Sequence, residues 1–153
     1  AIHPTSKDPK RTWPRKKFIT LARNLQQEGY TVSFLVGPDE YAQWQDLSTE
    51  FFIPQCASLN DTAKHLATCD YFIGNDSGLG HLASNLHIPT LTIAGNPKQI
   101  TYWRPAFSPG LVITIPFELP NFKGINFRLR DVFWQNFISV SRVRKAFNKL
   151  AHA

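Results

Sequence analysis

The residues best suited to chemistry lie in one run, Gly74-Asn75-Asp76-Ser77-Gly78-Leu79-Gly80-His81. It follows a short apolar segment, Tyr71-Phe72-Ile73, and precedes Leu82 and Ala83 at helical spacing, so it reads as strand, tight turn and helix N-terminus. Such a terminus attracts anions. The first amides of a helix have no partner within it and carry the positive end of its dipole. Gly78 and Gly80 have no side chains to keep a phosphate away from those amides. A carboxylate beside a phosphate would repel it, so Asp76 is expected to cap the helix or to accept hydrogen bonds from ligand hydroxyls. Turning and capping the chain would also account for Asn75, Asp76 and Ser77.

Two other polar segments carry complementary groups. Thr5, Ser6, Lys10 and Arg11 supply hydroxyls and positive charge, which a diphosphate requires. A solvated basic face is the plain alternative for residues 7–17. Glu40, just after Gly37-Pro38-Asp39, could accept from ribose hydroxyls or simply sit at a helix start. His81 could donate to a phosphate or serve as an ordinary structural residue. No Gly-x-Gly-x-x-Gly or Walker pattern occurs, which argues against a dehydrogenase or an NTPase. Ser77 with His81 lacks the context of a nucleophile elbow.

For these segments to act together, the fold must bring them to one edge. Short apolar strands alternate with amphipathic helices: a clipped strand at Ile2, a helix opened by Trp13-Pro14 and ended by Gly29, a strand over 31–36, a weak helix with Tyr41, Trp44 and Leu47, and an edge at 51–53. A helix capped by Ser58 follows, with Ala63, Leu66 and Ala67 facing inward. Then come strands at 71–73, 88–94 and 111–115, and a tail helix over 141–150 with Val143, Phe147 and Leu150 on one side. Trp13 and Trp103 are expected to pack. The pattern predicts an α/β, Rossmann-like, doubly wound parallel sheet of about six strands in the order 3-2-1-4-5-6. In that order the loops 3–11, 37–40 and 75–81 meet at the carboxyl ends of neighbouring strands.

The chain has 153 residues, 42% hydrophobic and 13% aromatic, enough for one domain with a core. Seventeen Lys and Arg against eleven Asp and Glu give a formal charge of +6 and favour an acidic partner. No nucleic-acid module signature is visible, so small phosphorylated molecules or anionic head groups fit better. Cys56 and Cys69 have no metal or redox spacing, which suggests reduced thiols. Ala1-Ile2 runs straight into His3-Pro4 with no Met, and a fragment of something larger is expected.

Together, His3-Pro4-Thr5-Ser6, Arg11-Thr12-Trp13-Pro14, Gly37-Pro38-Asp39-Glu40, Gly74 to Ser84 and Ile88-Pro89-Thr90 resemble the C-terminal half of the heptosyltransferase family of glycosyltransferases. The resemblance implies one half of a two-domain GT-B enzyme that moves a sugar from a nucleotide donor to a lipopolysaccharide acceptor. By position it places donor-binding roles on Thr5, Ser6, Lys10, Arg11, Glu40, Asp76, Ser77, Gly78, Leu79 and His81. The family's usual Lys before Trp-Pro is Arg11 here, which leaves open whether Lys10 or Arg11 reaches the phosphates.

The resulting expectation is a single Rossmann-like donor-binding domain, 1–153, lacking the N-terminal acceptor domain and holding no catalytic residue of its own. ADP-heptose is the donor implied, with no metal required. The lipopolysaccharide core acceptor would be met through the other domain. Cytoplasmic placement, either free or peripheral to the inner membrane's cytoplasmic face, goes with that reading, and nucleic acid does not. Another GT-B enzyme such as a nucleotide-sugar epimerase is the first alternative; a truncated, non-catalytic nucleotide-binding or interaction domain is the second. The chain alone is expected to be inactive.

Overall fold

The computed structural model describes residues 1–6, 12–95, 100, 107–115 and 134–152. Lys10, Arg11 and Trp103 lie outside the described residues. The strands are β1 (Ile2–His3), β2 (Phe72–Asn75), β3 (Thr90–Ile93) and β4 (Gly110–Ile113), and the helices α1 (Arg15–Gln27), α2 (Leu59–Leu66), α3 (Gly78–Asn85) and α4 (Val140–Ala151). All strand pairs are parallel, in the order β1-β2-β3-β4, with Ile2 opposite Ile73, Phe72 opposite Thr90 and Thr90 opposite Gly110.

Among the described residues four strands form the sheet proper, and two further expected segments join it through single bridges. The segment over 31–36 contributes only Phe34, bridged to Ile2, and Ser33, bridged in turn to Phe52; both bridges are parallel. Ile2 uses both its backbone groups there, donating to Ser33 O at 2.8 Å and accepting from Leu35 N at 2.8 Å. Between the Phe34 and Phe52 segments the expected weak helix is two short 3₁₀ turns, Tyr41–Gln43 and Gln45–Leu47.

Strand side chains alternate between faces, so Phe72 and Ile73 enter different cores. Ile73, Leu91 and Ile93 pack with Phe18, Leu21, Ala22 and Leu25 of α1 and Val143, Phe147 and Leu150 of α4. Phe72 packs with Leu35, Leu66 and Ala83 under α2 and α3. Burying each large side chain in these layers stabilises the fold by about 1.5–3 kcal/mol. Trp13 is fully buried, as expected, edge-on to Phe18 with ring centroids 4.9 Å apart. On α2 the apolar face is Thr62 and Leu66, and Ala67 is exposed because it falls past the last helical residue, at the C-cap. Among the described residues no helix is long and apolar enough to cross a membrane.

Helix ends follow local chemistry. Ser58 accepts from Asp61 N at 3.1 Å to start α2, and Ser139 accepts from Arg142 N at 3.3 Å to start α4. Helix α1 closes on Gly29 at φ +93°, with Gly29 N donating to Gln26 O and Tyr30 N to Leu25 O. Helix α3 closes in the same way on His87 at φ +61°, with His87 N donating to Ser84 O and Ile88 N to Ala83 O.

Candidate functional site

At the carboxyl ends of β1 and β2 lies a crevice of about 680 Å³. Its walls come from His3, Thr5 and Ser6 after β1, from 35–38 and Glu40 after the Phe34 bridge, from 56–59 and Thr62 at the start of α2, and from 76–79 and Leu82 at the start of α3. Of the ten residues singled out in the sequence, Thr5, Ser6, Glu40, Asp76, Ser77, Gly78 and Leu79 line this one space. His81 does not line it; it is half-buried on α3. Gly80 is likewise buried in the helix and takes no part in the wall. Another cavity, about 530 Å³, opens beside residues that precede the strands, including Ala1, Thr31 and Asp70. There Ser33 Oγ meets His65 Nε2 at 2.9 Å, and Cys69 Sγ lies 3.8 Å from the same nitrogen.

The loop after β1 and the turn after Phe34 are joined by side chains. Thr5 Oγ1 donates to Glu40 Oε2 at 2.7 Å, and the same oxygen accepts from Gly37 N at 3.0 Å. His3 Nδ1 lies 2.7 Å from Leu35 O, and since a carbonyl can only accept, that nitrogen carries the proton. Burial pushes the His3 imidazole below its ordinary value, with the Leu35 bond and the Glu40 charge acting the other way. The ring is therefore held neutral, with Nε2 as an acceptor.

Across the crevice, the cap position of α3 falls on Ser77 rather than Asp76. Ser77 makes no capping bond, and its Oγ is buried with no hydrogen-bond partner among the described residues. An orphaned hydroxyl at a helix N-terminus is a group that an incoming polar ligand can satisfy. Beside it, a Cβ added to Gly78 would meet nothing within 4 Å, so the helix start opens directly onto the crevice. Gly74 serves packing instead: a Cβ there would lie 2.9 Å from the Phe72 ring and 3.0 Å from His3 O.

The sequence reasoning left out Asn75 as a site residue. Its buried amide accepts from Trp13 N at 2.9 Å and donates to Pro4 O at 2.9 Å, holding both flanks of the loop that carries Thr5 and Ser6. It also left out the segment 54–57, which walls a smaller space of about 290 Å³ shared with the crevice at Val36, Gly37, Pro38, Cys56 and Ala57. That segment follows the Phe52 bridge, so the carboxyl-edge rule applied to 37–40 would have found it too.

The pattern of Glycosyltransferase family 9 (heptosyltransferase) matches residues 1–113, which include every wall of the crevice. The chain belongs to glycosyltransferase family 9. This family 9 chain is 30% identical over 118 residues to lipopolysaccharide heptosyltransferase 3 of Escherichia coli K12, covering 68% of itself and 32% of that protein. It is 26% identical over 116 residues to lipooligosaccharide heptosyltransferase 2 of Haemophilus influenzae, covering 70% of itself and 33% of the relative. It spans about a third of the length of these relatives. Among solved structures, the family 9 glycosyl transferase of Veillonella parvula superposes with a TM-score of 0.77 at 20% identity, over 97% of this chain and 45% of that one. The E. coli heptosyltransferase WaaC with ADP gives 0.76 at 17% identity, over 97% and 43%. The α/β parallel-sheet architecture is thus the one family 9 enzymes use.

Proposed function

We propose that this family 9 chain is a single nucleotide-sugar-binding domain of a heptosyltransferase-type enzyme acting in lipopolysaccharide core synthesis, with the crevice as its donor site. The observation that carries this reading is the meeting of Thr5, Ser6, Glu40 and residues 76–79 around one space at the start of α3. A nucleoside diphosphate matches the chemistry of those walls. Its phosphates suit the α3 amides at Gly78, the Ser77 hydroxyl and the hydroxyls of Thr5 and Ser6. Lys10 and Arg11 would add positive charge, and His81 is kept as a further donor on α3. Glu40, with one oxygen tied to Thr5 and Gly37, would turn the other to ribose hydroxyls, and Asp76 would accept from hydroxyls of the sugar.

As the glycosidic bond to the diphosphate breaks, negative charge grows on the leaving oxygen, and preoriented amides and cations stabilise it. The chain itself supplies binding and leaving-group stabilisation. Transfer also needs an acceptor held in attack geometry and a group to take its proton, which a second domain would provide. Calorimetric titration of the 153-residue chain with ADP tests the reading, and lack of any ADP binding at millimolar concentration would sink it. Incubated with ADP-heptose and a lipopolysaccharide core acceptor, the chain alone should leave the acceptor's mass unchanged. Robust turnover would overturn the division of labour.

A further inference from the structure

The geometry points to Asn75 as a positioning residue for the phosphate-facing wall of the crevice; this deepens the donor-site reading and rests on it. The backbone ladder between β1 and β2 ends with His3 opposite Gly74. The next pair would be Pro4 with Asn75, and Pro4 has no N–H to continue the ladder. The Asn75 side chain takes over at that point. Its Nδ2 donates to Pro4 O at 2.9 Å, so the link between the strands extends one residue further, to the point where Thr5 and Ser6 turn into the crevice.

The same amide accepts at Oδ1 from Trp13 N at 2.9 Å, where the chain returns to begin α1. Trp13 N can only donate and Pro4 O can only accept, so this place needs a donor and an acceptor on one short planar group. A carboxamide supplies both, on two separate atoms that can face the two partners at once, and Asn has the reach from the end of a strand. An aspartate would keep the Trp13 bond and set a carboxylate against Pro4 O. Asn75 also directly precedes Asp76 and Ser77, so one residue joins the wall holding Thr5 and Ser6 to the start of α3. Its relative exposure is 1%, and Pro4 and Trp13 are buried as well, so bulk solvent does not reach either bond.

A residue that merely supports the fold would weaken every ligand alike or none, whereas one that sets this wall should act on phosphates and spare the nucleoside. The test compares ADP with adenosine in the full chain and in Asn75→Asp and Asn75→Ser, with circular dichroism to establish that each is folded. ADP affinity should fall about tenfold in both variants, the scale of one lost or misplaced set of charge-assisted bonds, and adenosine affinity should not change. Asn75→Ser separates loss of position from the added charge of Asp. Should the variants not fold, nuclear magnetic resonance of the parent decides: the Asn75 side-chain amide protons should shift on adding ADP and stay still with adenosine. Equal ADP affinity in parent and folded variants, parallel losses for both ligands, or identical shifts with both would overturn the role of Asn75. A parent that binds neither ligand overturns the donor-site reading itself.

Discussion

Thr5 and Glu40, 35 residues apart in sequence, share a 2.7 Å hydrogen bond in which the hydroxyl is the donor. A hydroxyl has one proton, so Thr5 can serve Glu40 or a phosphate but not both at once. Ser77, on the facing wall, has a buried hydroxyl with no bond to give up among the described residues. The two residues, which look equivalent in sequence, should therefore differ in what they contribute to binding. Ser77→Ala should weaken ADP by about 1.5–3 kcal/mol, the net worth of a bond to a charged group. Thr5→Val should cost less than about 1 kcal/mol, because the bond gained with phosphate is offset by the one lost with Glu40. Calorimetry on the two variants measures the ranking, and the reverse order would refute it.

Gly78 offers a test in which fold and function separate. A Cβ there projects into open space, so Gly78→Val should leave thermal stability within about 0.5 kcal/mol of the parent. The same side chain stands between the α3 amides and any phosphate, and ADP affinity should drop more than about tenfold if those amides are contacts. Raising salt should weaken ADP binding by the parent, since screening acts on the charge contribution. Undiminished ADP binding in a folded Gly78→Val protein would move the diphosphate elsewhere.

The parallel α/β plan, the α1 face and the meeting of three loops were legible because each rests on local pattern. Phe18, Leu21, Ala22 and Leu25 recur at helical spacing, and Gly29 marks the stop. Asn75 was not legible as a clamp. Its partners Pro4 and Trp13 lie 71 and 62 residues away, and an Asn before Asp-Ser-Gly looks like any turn residue. The segments at 31–36 and 51–53 pair over a shorter stretch than their apolar runs suggest for a related reason: 31–36 has β-type residues, but pairing depends on neighbours that sequence does not display, and the two segments join β1 through single parallel bridges. Ala67 was assigned inward by continuing a period past the point where α2 ends.

His3 links the crevice to pH. Its imidazole titrates below the ordinary 6.5 because burial penalises the charged form. The unfolded chain then binds a proton at higher pH than the folded one, so stability is full above about pH 6.5 and is lost as pH falls below it toward the folded value. His65 is displaced in the same direction, chiefly by burial and then by the nearby amino terminus. Urea midpoints should therefore decline from pH 7 to pH 5. His3→Gln should flatten that decline in part, leaving the share due to His65 and to the Ala1 amino group, which burial also lowers. An unaltered pH profile in the variant would assign the slope to other groups.

His87 holds a left-handed backbone where α1 uses Gly29 for the same turn. A non-glycine residue costs about 1–2 kcal/mol in that conformation, and the greater freedom of glycine in the unfolded chain returns part of it. His87→Gly should thus stabilise the protein by about 0.5–1 kcal/mol. For a domain of this size that is a rise of a few degrees in Tm. His87 is exposed and does not line the crevice, so ADP affinity should be unaffected. A lower Tm would show that the imidazole makes a contribution larger than the strain.

The start of α1 is fastened to a much later part of the chain. Trp13 Nε1 donates to Ile138 O at 3.0 Å, and Lys17 Nζ donates to the carbonyls of Gln135, Asn136 and Ile138 at 2.8, 3.2 and 2.9 Å. These contacts span up to 125 residues. A chain emerging from the ribosome would therefore leave Trp13 and the part of α1 that faces α4 uncovered until residues 134–150 had been made, even after β2 and β3 were available to pack on the rest of that face. Nascent chains halted after residue 113, where the family match ends, should be captured by chaperones and cut readily by protease, and release from both should come only once residues 134–150 have cleared the exit tunnel.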